Sequence, residues 1–317
     1  MKALLKVLLG RLGLEVQTAR LARLRDRFQA TLVEWSARDF RIAPDGAYRA
    51  TGIVFSRDRA LQLDALLESW FAQVDGPAKL VVLWTASPVH EVSYRELAGK
   101  WASRVEWVRE SDFREDLVSI VERDVSTHLF FMTDDALILQ PFRMEQVLLP
   151  DPRHEIFSLC HSRDLDWCFV HQKAQTVPDL EPRPDGTLSW RWKDGEAFSD
   201  WSFPLSVDGK FFLREEMEVL LSDLPFGSPN TLEQSLQIYQ PLFAGRRGVC
   251  FAEAAMVNVP CNAVQTQFAN PVTGAHSTDD LLREWQRGNR IAWEDFKGLP
   301  PREAERKAYR FVGREGV

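Results

Sequence analysis

The sequence predicts an α/β fold in which a mostly parallel central sheet is flanked by helices, followed by a less regular second half. Three observations predict it. Short apolar runs of strand length alternate with stretches that repeat apolar residues at helical spacing. The chain has 317 residues, 45% of them hydrophobic, which is enough to bury one large core. Two polar clusters follow directly on apolar runs, where open α/β sheets bind their ligands.

The elements follow in order. In residues 1–30, Leu4, Leu5, Leu8, Leu9, Leu12 and Leu14 recur at mostly helical spacing, and seven Lys/Arg face two acidic residues. This basic amphipathic helix has two readings: peripheral contact with an anionic membrane surface, or packing on its own domain or on a second subunit of a homo-oligomer. From residue 50, Gly52-Ile53-Val54-Phe55 reads as a buried strand broken by Ser56-Arg57-Asp58-Arg59. Leu63, Leu66, Leu67, Trp70 and Phe71 then mark a helix stopped by Asp75-Gly76-Pro77. Residues 79–84 and 105–108 are further strands, 113–124 is a helix, and Leu129-Phe130-Phe131-Met132 is a fourth strand running into Thr133-Asp134-Asp135. The second half is less regular. Residues 157–160, 167–170 and 256–259 read as strands, 174–200 as a long loop or hairpin, and 214–224, a stretch from about Asn230, and 277–286 as helices. The expected divisions are 1–44, a basic helical segment; 45–140; 141–276; and 277–317, a helical tail.

The formal net charge is −7. It divides into a net +5 over residues 1–30, a net +3 over 281–317, and −15 between them. An acidic body argues against nucleic acid as a partner. The four cysteines include no C-x-x-C pair, which points to reduced thiols in a cytoplasmic protein, peripheral at the inner face of the membrane if the leucine-rich helix binds there. No run approaches the roughly 20 apolar residues of a membrane span. A P-loop, a G-x-S-x-G elbow and a G-x-G-x-x-G fingerprint are all absent.

Asp134 and Asp135 carry the strongest chemical signal. Two carboxylates at the end of a buried strand are costly unless something positive satisfies them. A hard divalent cation does so, and Mg²⁺ commonly takes one or two carboxylates plus substrate phosphates. The bland alternative is a solvated turn.

The order of elements, with the segments 53–63, 129–135, 205–212 and 228–233, resembles the GT-A-fold glycosyltransferases, in particular family-2-like bacterial enzymes. The likeness spans roughly residues 50–270. It implies a GT-A-like nucleotide-sugar-binding half at 45–140 and an acceptor-binding half at 141–276, in cell-envelope polysaccharide biosynthesis. It implies that Phe55, Ser56, Arg57, Asp58 and Arg59 contact the nucleotide together with Thr133 and Asp134. Asp135 and Asp134 would hold Mn²⁺ or Mg²⁺ against the diphosphate of a nucleotide sugar. Thr133 stands where the usual motif has its first Asp, so Asp135 is the better ligand. A late histidine, His276, is a further metal candidate.

The resemblance also makes Glu233 the candidate general base that would deprotonate a glycan or lipid-linked acceptor, with inversion at the sugar carbon. Its competing reading is a capping box with Asn230 as N-cap and Glu233 at N3. Asp208 is a second candidate base, although Asp208-Gly209 also reads as a turn. Trp190 and Trp192 could stack on acceptor sugar rings or cover the sheet. Two other classes stay open. A nucleotidyltransferase would need a Gly-rich, Lys-containing loop after the first strand, and a non-catalytic carbohydrate-binding protein would need no base.

Overall fold

The computed structural model describes residues 19–40, 49–264 and 271–314. The leucine-rich stretch 1–18 lies outside the described residues. Helix α1, Ala19–Ala37, packs on its own domain. The Phe28 ring stacks on Tyr239 at 5.4 Å, and Thr31 is buried and donates to Asp223.

The alternation expected from the sequence is present. Strands β1 (Ala50–Arg57), β2 (Lys79–Thr85), β3 (Glu106–Arg109) and β4 (His128–Thr133) are joined by helices α2 (Ala60–Gln73), α3 (Glu91–Trp101) and α4 (Phe113–Arg123). All four strands are parallel in the order β4-β1-β2-β3. The second half adds β5 (Glu155–Ser158), β6 (Glu181–Pro182), β7 (Leu188–Arg191), β8 (Lys210–Leu213) and β9 (Arg247–Cys250). The nine strands form one sheet in the order β6-β7-β9-β5-β8-β4-β1-β2-β3. The sheet is mixed: β8 lies antiparallel between β4 and β5, and β7 is antiparallel to both β9 and β6 at the edge, while the other strands share one direction. Helices α5 (Arg214–Asp223), α6 (Pro229–Leu236), α7 (Thr278–Gln286) and α8 (Pro301–Arg306) complete the fold. The C-terminal tail is not wholly helical, since 289–291 pairs with 311–313.

Both sheet faces are covered, so the central strands read as continuous apolar runs rather than alternating ones. The alternation reappears in the packing. Val54, Leu80, Val82, Phe130 and Met132 join one core, while Ile53, Phe55, Val81, Leu83, Leu129 and Phe131 join the other. At β9 the backbone meets a ring directly: a Cβ on Gly248 would sit 2.2 Å from the Trp190 indole, so only glycine fits.

Several expectations differ in detail. Residues 167–170 give only a two-residue bridge with 173–174, and 256–258 pairs with 136–138 instead of entering the main sheet. Helix α3 and strand β9 have no counterpart in the sequence reading. Helix α3 buries only Ser93, Tyr94, Leu97 and Trp101, a sparse stripe, and β9 is Arg-Gly-Val-Cys.

At the start of β4, His128 is 2% exposed and neither ring nitrogen has a hydrogen-bond partner among the described residues. Burial pushes its pKa down from 6.5 to about 4. The unfolded chain therefore binds this proton first, and folded stability is lost as pH falls from about 6.5 toward 4. The full shift corresponds to about 3 kcal/mol. Urea unfolding between pH 7.5 and 4.5 should show this slope in the wild type, and His128→Leu should flatten it.

Candidate active site

The carboxyl ends of the four parallel strands line one wall of a cleft of about 650 Å³. Register puts Phe55 beside Thr133, Arg57 beside Thr85, and Trp84 beside Arg109. The residues that follow lie in a row along this edge: Asp134–Asp135 after β4, the Arg57–Arg59 loop after β1, Thr85 at the end of β2, and Glu110 after β3. The opposite wall comes from Asp208 and Lys210 at β8, the start of α6, residues 256–264, and Glu305 of α8.

The sequence-predicted nucleotide cluster is gathered here. Arg59 is 8% exposed, and its Nη1 donates to Asp134 at 2.9 Å and Asp135 at 3.2 Å. Its Nε donates to Asn262 Oδ1 at 2.8 Å, and Nη2 donates to the Asn262 carbonyl. Asp134 Oδ2 accepts from Ser56 Oγ at 2.8 Å and from the Arg57 amide at 3.2 Å. Tyr94 holds Ser56 at 2.5 Å and accepts from the Arg59 amide. Burial pushes the Asp134 carboxyl up to about 6 against the pull of Arg59, which leaves it ionised at neutral pH. The two carboxylates raise the Arg59 pKa further, outweighing its burial. Asp58 adopts φ +53°, and its carboxylate accepts from the Ser87 amide at 2.7 Å. That left-handed residue lies between Arg57, exposed at the cleft, and Arg59, turned into the protein.

Asp134 is a structural anchor, since both of its oxygens are occupied. Asp135 is more open. It accepts from Thr133 Oγ1 at 2.8 Å and from Arg59, and it lines the cleft. Among the described residues no trio of His, Cys, Asp or Glu could hold a metal ion. The donor set at Asp135 still fits a hard cation held by one carboxylate, with substrate oxygens and water as the remaining ligands. His276 is not part of it. Its ring packs on Phe311 at 5.1 Å, and only its carbonyl points toward the site, accepting from Asn262 Nδ2.

The second expectation settled here is the cap. Helix α6 is capped by Ser228 with Thr231 at N3, not by Asn230 and Glu233. Pro229 at the first helical position shifts the start by two residues. Glu233 instead lines the cleft and accepts from the Val207 amide at 3.2 Å. Burial and the neighbouring Asp208 push its pKa up to about 8. Asp208 accepts from Asn258 Nδ2 at 2.6 Å, and burial raises its pKa too.

Trp190 and Trp192 are corrected. Each is 1% exposed, and their rings pack with Trp201 around His161, at 4.9 Å and 5.4 Å from its ring. Covered on every side, they present no face to an acceptor. Sequence reasoning missed Lys210, which is 3% exposed, sits 5.1 Å from the Trp192 ring and donates to the Phe203 carbonyl. It also missed Glu305, pushed up to about 8 by burial and then by Asp200. Asn262 and Glu110 were missed as well. Glu110 lies in the polar run Arg109-Glu110-Ser111-Asp112, which does not single it out, and Asn262 had no signal.

A larger groove, about 1330 Å³, lies between α2, α3 and α7. Its charges pair with one another, as in Lys100–Glu68 at 2.7 Å and Arg290–Glu294 at 2.8 Å. The strand-end cleft has the convergent ionisable groups expected of an active site.

No protein-family model and no curated protein matches the chain. In structure it is similar, at low identity, to several solved proteins. A mannosyltransferase from Pyrobaculum calidifontis, in complex with GDP-Man and Mn²⁺, is 17% identical with a TM-score of 0.42, over 90% of this chain and 79% of that one. TarS of S. aureus is 13% identical with a TM-score of 0.43, over 66% of this chain and 36% of that one. A nucleotidyl transferase from Methanothermobacter is 11% identical with a TM-score of 0.37, over 65% and 87%.

Removing one partner from a buried ion cluster leaves uncompensated charge. Arg59→Met should therefore cost about 3–5 kcal/mol in urea unfolding. The double variant Arg59→Met/Asp134→Asn should recover part of that loss.

Proposed function

We propose that the protein is a nucleotide-sugar-dependent glycosyltransferase acting on a hydroxyl of a glycan or lipid-linked acceptor. One observation carries this reading: Glu233, free of any capping role, faces the same cleft as the Asp134–Asp135–Arg59 cluster. A diphosphate at the strand ends and a hydroxyl at Glu233 would share that cleft. The loop after β1 is Arg57-Asp58-Arg59, without the glycines and lysine of a nucleotidyltransferase phosphate loop, and Glu233 gives the site a base that mere sugar binding does not need.

The step is a displacement. Glu233 takes the acceptor proton, the acceptor oxygen forms its bond to the anomeric carbon, and the bond from that carbon to the diphosphate oxygen breaks. Attack opposite the leaving group inverts the carbon. Arg57, exposed at the cleft, supplies positive charge toward the departing diphosphate, while Arg59 holds the loop and both aspartates in place. Asp135 would hold a divalent cation, Mn²⁺ or Mg²⁺, which when bound neutralises diphosphate charge. Peripheral membrane contact through residues 1–30 belongs to the same reading, through the basic charge of that segment.

Glu233→Gln should lower kcat about 10²- to 10⁴-fold while leaving nucleoside diphosphate binding intact. A base with its pKa pushed up to about 8 is mostly protonated at pH 7. The wild-type rate should therefore rise with pH up to about 8 and then level, as read from kcat/KM between pH 6 and 9.5. Asp135→Ala should abolish any Mn²⁺-dependent rise in melting temperature with a nucleoside diphosphate. Full turnover in that variant would refute the assignment.

A further inference from the structure

The cleft has an end that the proposed chemistry does not use. Beyond the Arg57–Arg59 loop, its lining continues over Phe55, Leu83 and Phe113 to Thr85 and Glu110. Phe55, Leu83 and Phe113 are 3%, 1% and 4% exposed, and Phe55 meets Phe113 edge-on at 5.2 Å. Glu110 is half-buried at the end of β3, fixed by its amide, which donates to the Trp84 carbonyl at 2.7 Å. Its carboxylate has no hydrogen-bond partner among the described residues, and neither does the Arg57 guanidinium, the cation that acts on it most.

Strand order sets the geometry. Adjacent strands lie about 4.8 Å apart, so the end of β3 is roughly 14 Å along the edge from Asp134–Asp135. A nucleoside diphosphate with its phosphates at the aspartates and Arg57–Arg59 runs along this edge, and its base falls over β2 and β3. An ionised carboxylate only accepts hydrogen bonds, through two oxygens side by side. Guanine alone among the common bases presents two adjacent donors, N1–H and the N2 amino group, with O6 as an acceptor beside them. Uracil sets one N–H between two carbonyls. Adenine and cytosine each pair an amino group with a ring acceptor that would face the carboxylate.

We propose that the donor is a guanosine-diphosphate sugar and that Glu110 reads its base through N1–H and the N2 amino group. The inference rests on the glycosyltransferase reading, since it presumes a nucleoside diphosphate in the cleft.

The test is a calorimetric panel of GDP, IDP, UDP, ADP and CDP with Mn²⁺ on the full chain. Charged hydrogen bonds of this kind set the scale. GDP should bind about 10- to 100-fold more tightly than UDP, ADP or CDP. IDP, which lacks only the N2 amino group, should be about 10-fold weaker than GDP. Glu110→Gln should reduce GDP affinity by a similar factor and bring the bases closer together, and the unliganded melting temperature checks that the variant folds. Equal binding of GDP and IDP, tighter binding of UDP, or an unchanged GDP affinity in a folded Glu110→Gln variant would overturn the guanine assignment and leave the transferase reading standing. Binding of no nucleoside diphosphate would overturn both. The wild-type panel decides the question even if the variant fails to fold.

Discussion

Two adjacent carboxylates at the end of a fully buried strand are the constraint on which the rest of the site depends. Asp134 is 3% exposed, and a bare charge at that depth would not survive. The fold answers with Arg59, itself 8% exposed, and the arginine in turn needs acceptors for its other donors. Asn262 provides them, from a segment about 200 residues later in the chain. One ion cluster thus fixes the strand end, the loop after β1 and the segment after 256–258 relative to one another. The cleft lies between these pieces, so the requirement to neutralise Asp134 also shapes the binding site.

That division of labour explains why the two aspartates are not equivalent. Asp134 uses its oxygens on Ser56, Arg57 and Arg59 and becomes part of the scaffold. Asp135 shares only Thr133 and one arginine nitrogen and stays at the cleft. The same contrast separates a buried acid outside the cleft from those on its opposite wall. Glu216 is buried in a closed pair with Arg246, a structural arrangement. Glu233 and Asp208 are desolvated without a closed ion pair, so burial raises both pKa values instead. Carboxyls held in that state are suited to exchanging protons, whereas paired ones are not.

Apart from α3, the first half of the fold was legible because its central strands are buried on both faces and α2 and α4 carry dense apolar stripes. The polar clusters after β1 and β4 were legible for a related reason: charge placed directly after a buried run has few structural uses. The second half was harder. Strand β9 is four residues long with a glycine dictated by Trp190, so its strand character depends on a neighbour 58 positions away. The capping box at Asn230 was misread because a serine two residues earlier, followed by proline, makes the better helix start. Trp190 and Trp192 could be placed only by tertiary packing, since a ring that covers a sheet and a ring that covers a sugar look alike in sequence. Asn262 was invisible, because its role exists only once Arg59 is buried.

The sheet also explains why one chain can combine a charged site with an acidic body. The parallel half collects its strand ends on a single edge, and two arginines, Arg57 and Arg59, are delivered there by one turn at Asp58. The antiparallel insertion of β8 brings Asp208 and Lys210 to face that edge, beside β4 in the sheet although nearly 80 residues later in the chain. A purely parallel continuation would have placed another helical crossover there and filled the space. The reversed strand therefore does more than complete the hydrogen-bond ladder. It places a second set of ionisable groups opposite the first, at the only sheet position adjacent to β4 that β1 does not already occupy.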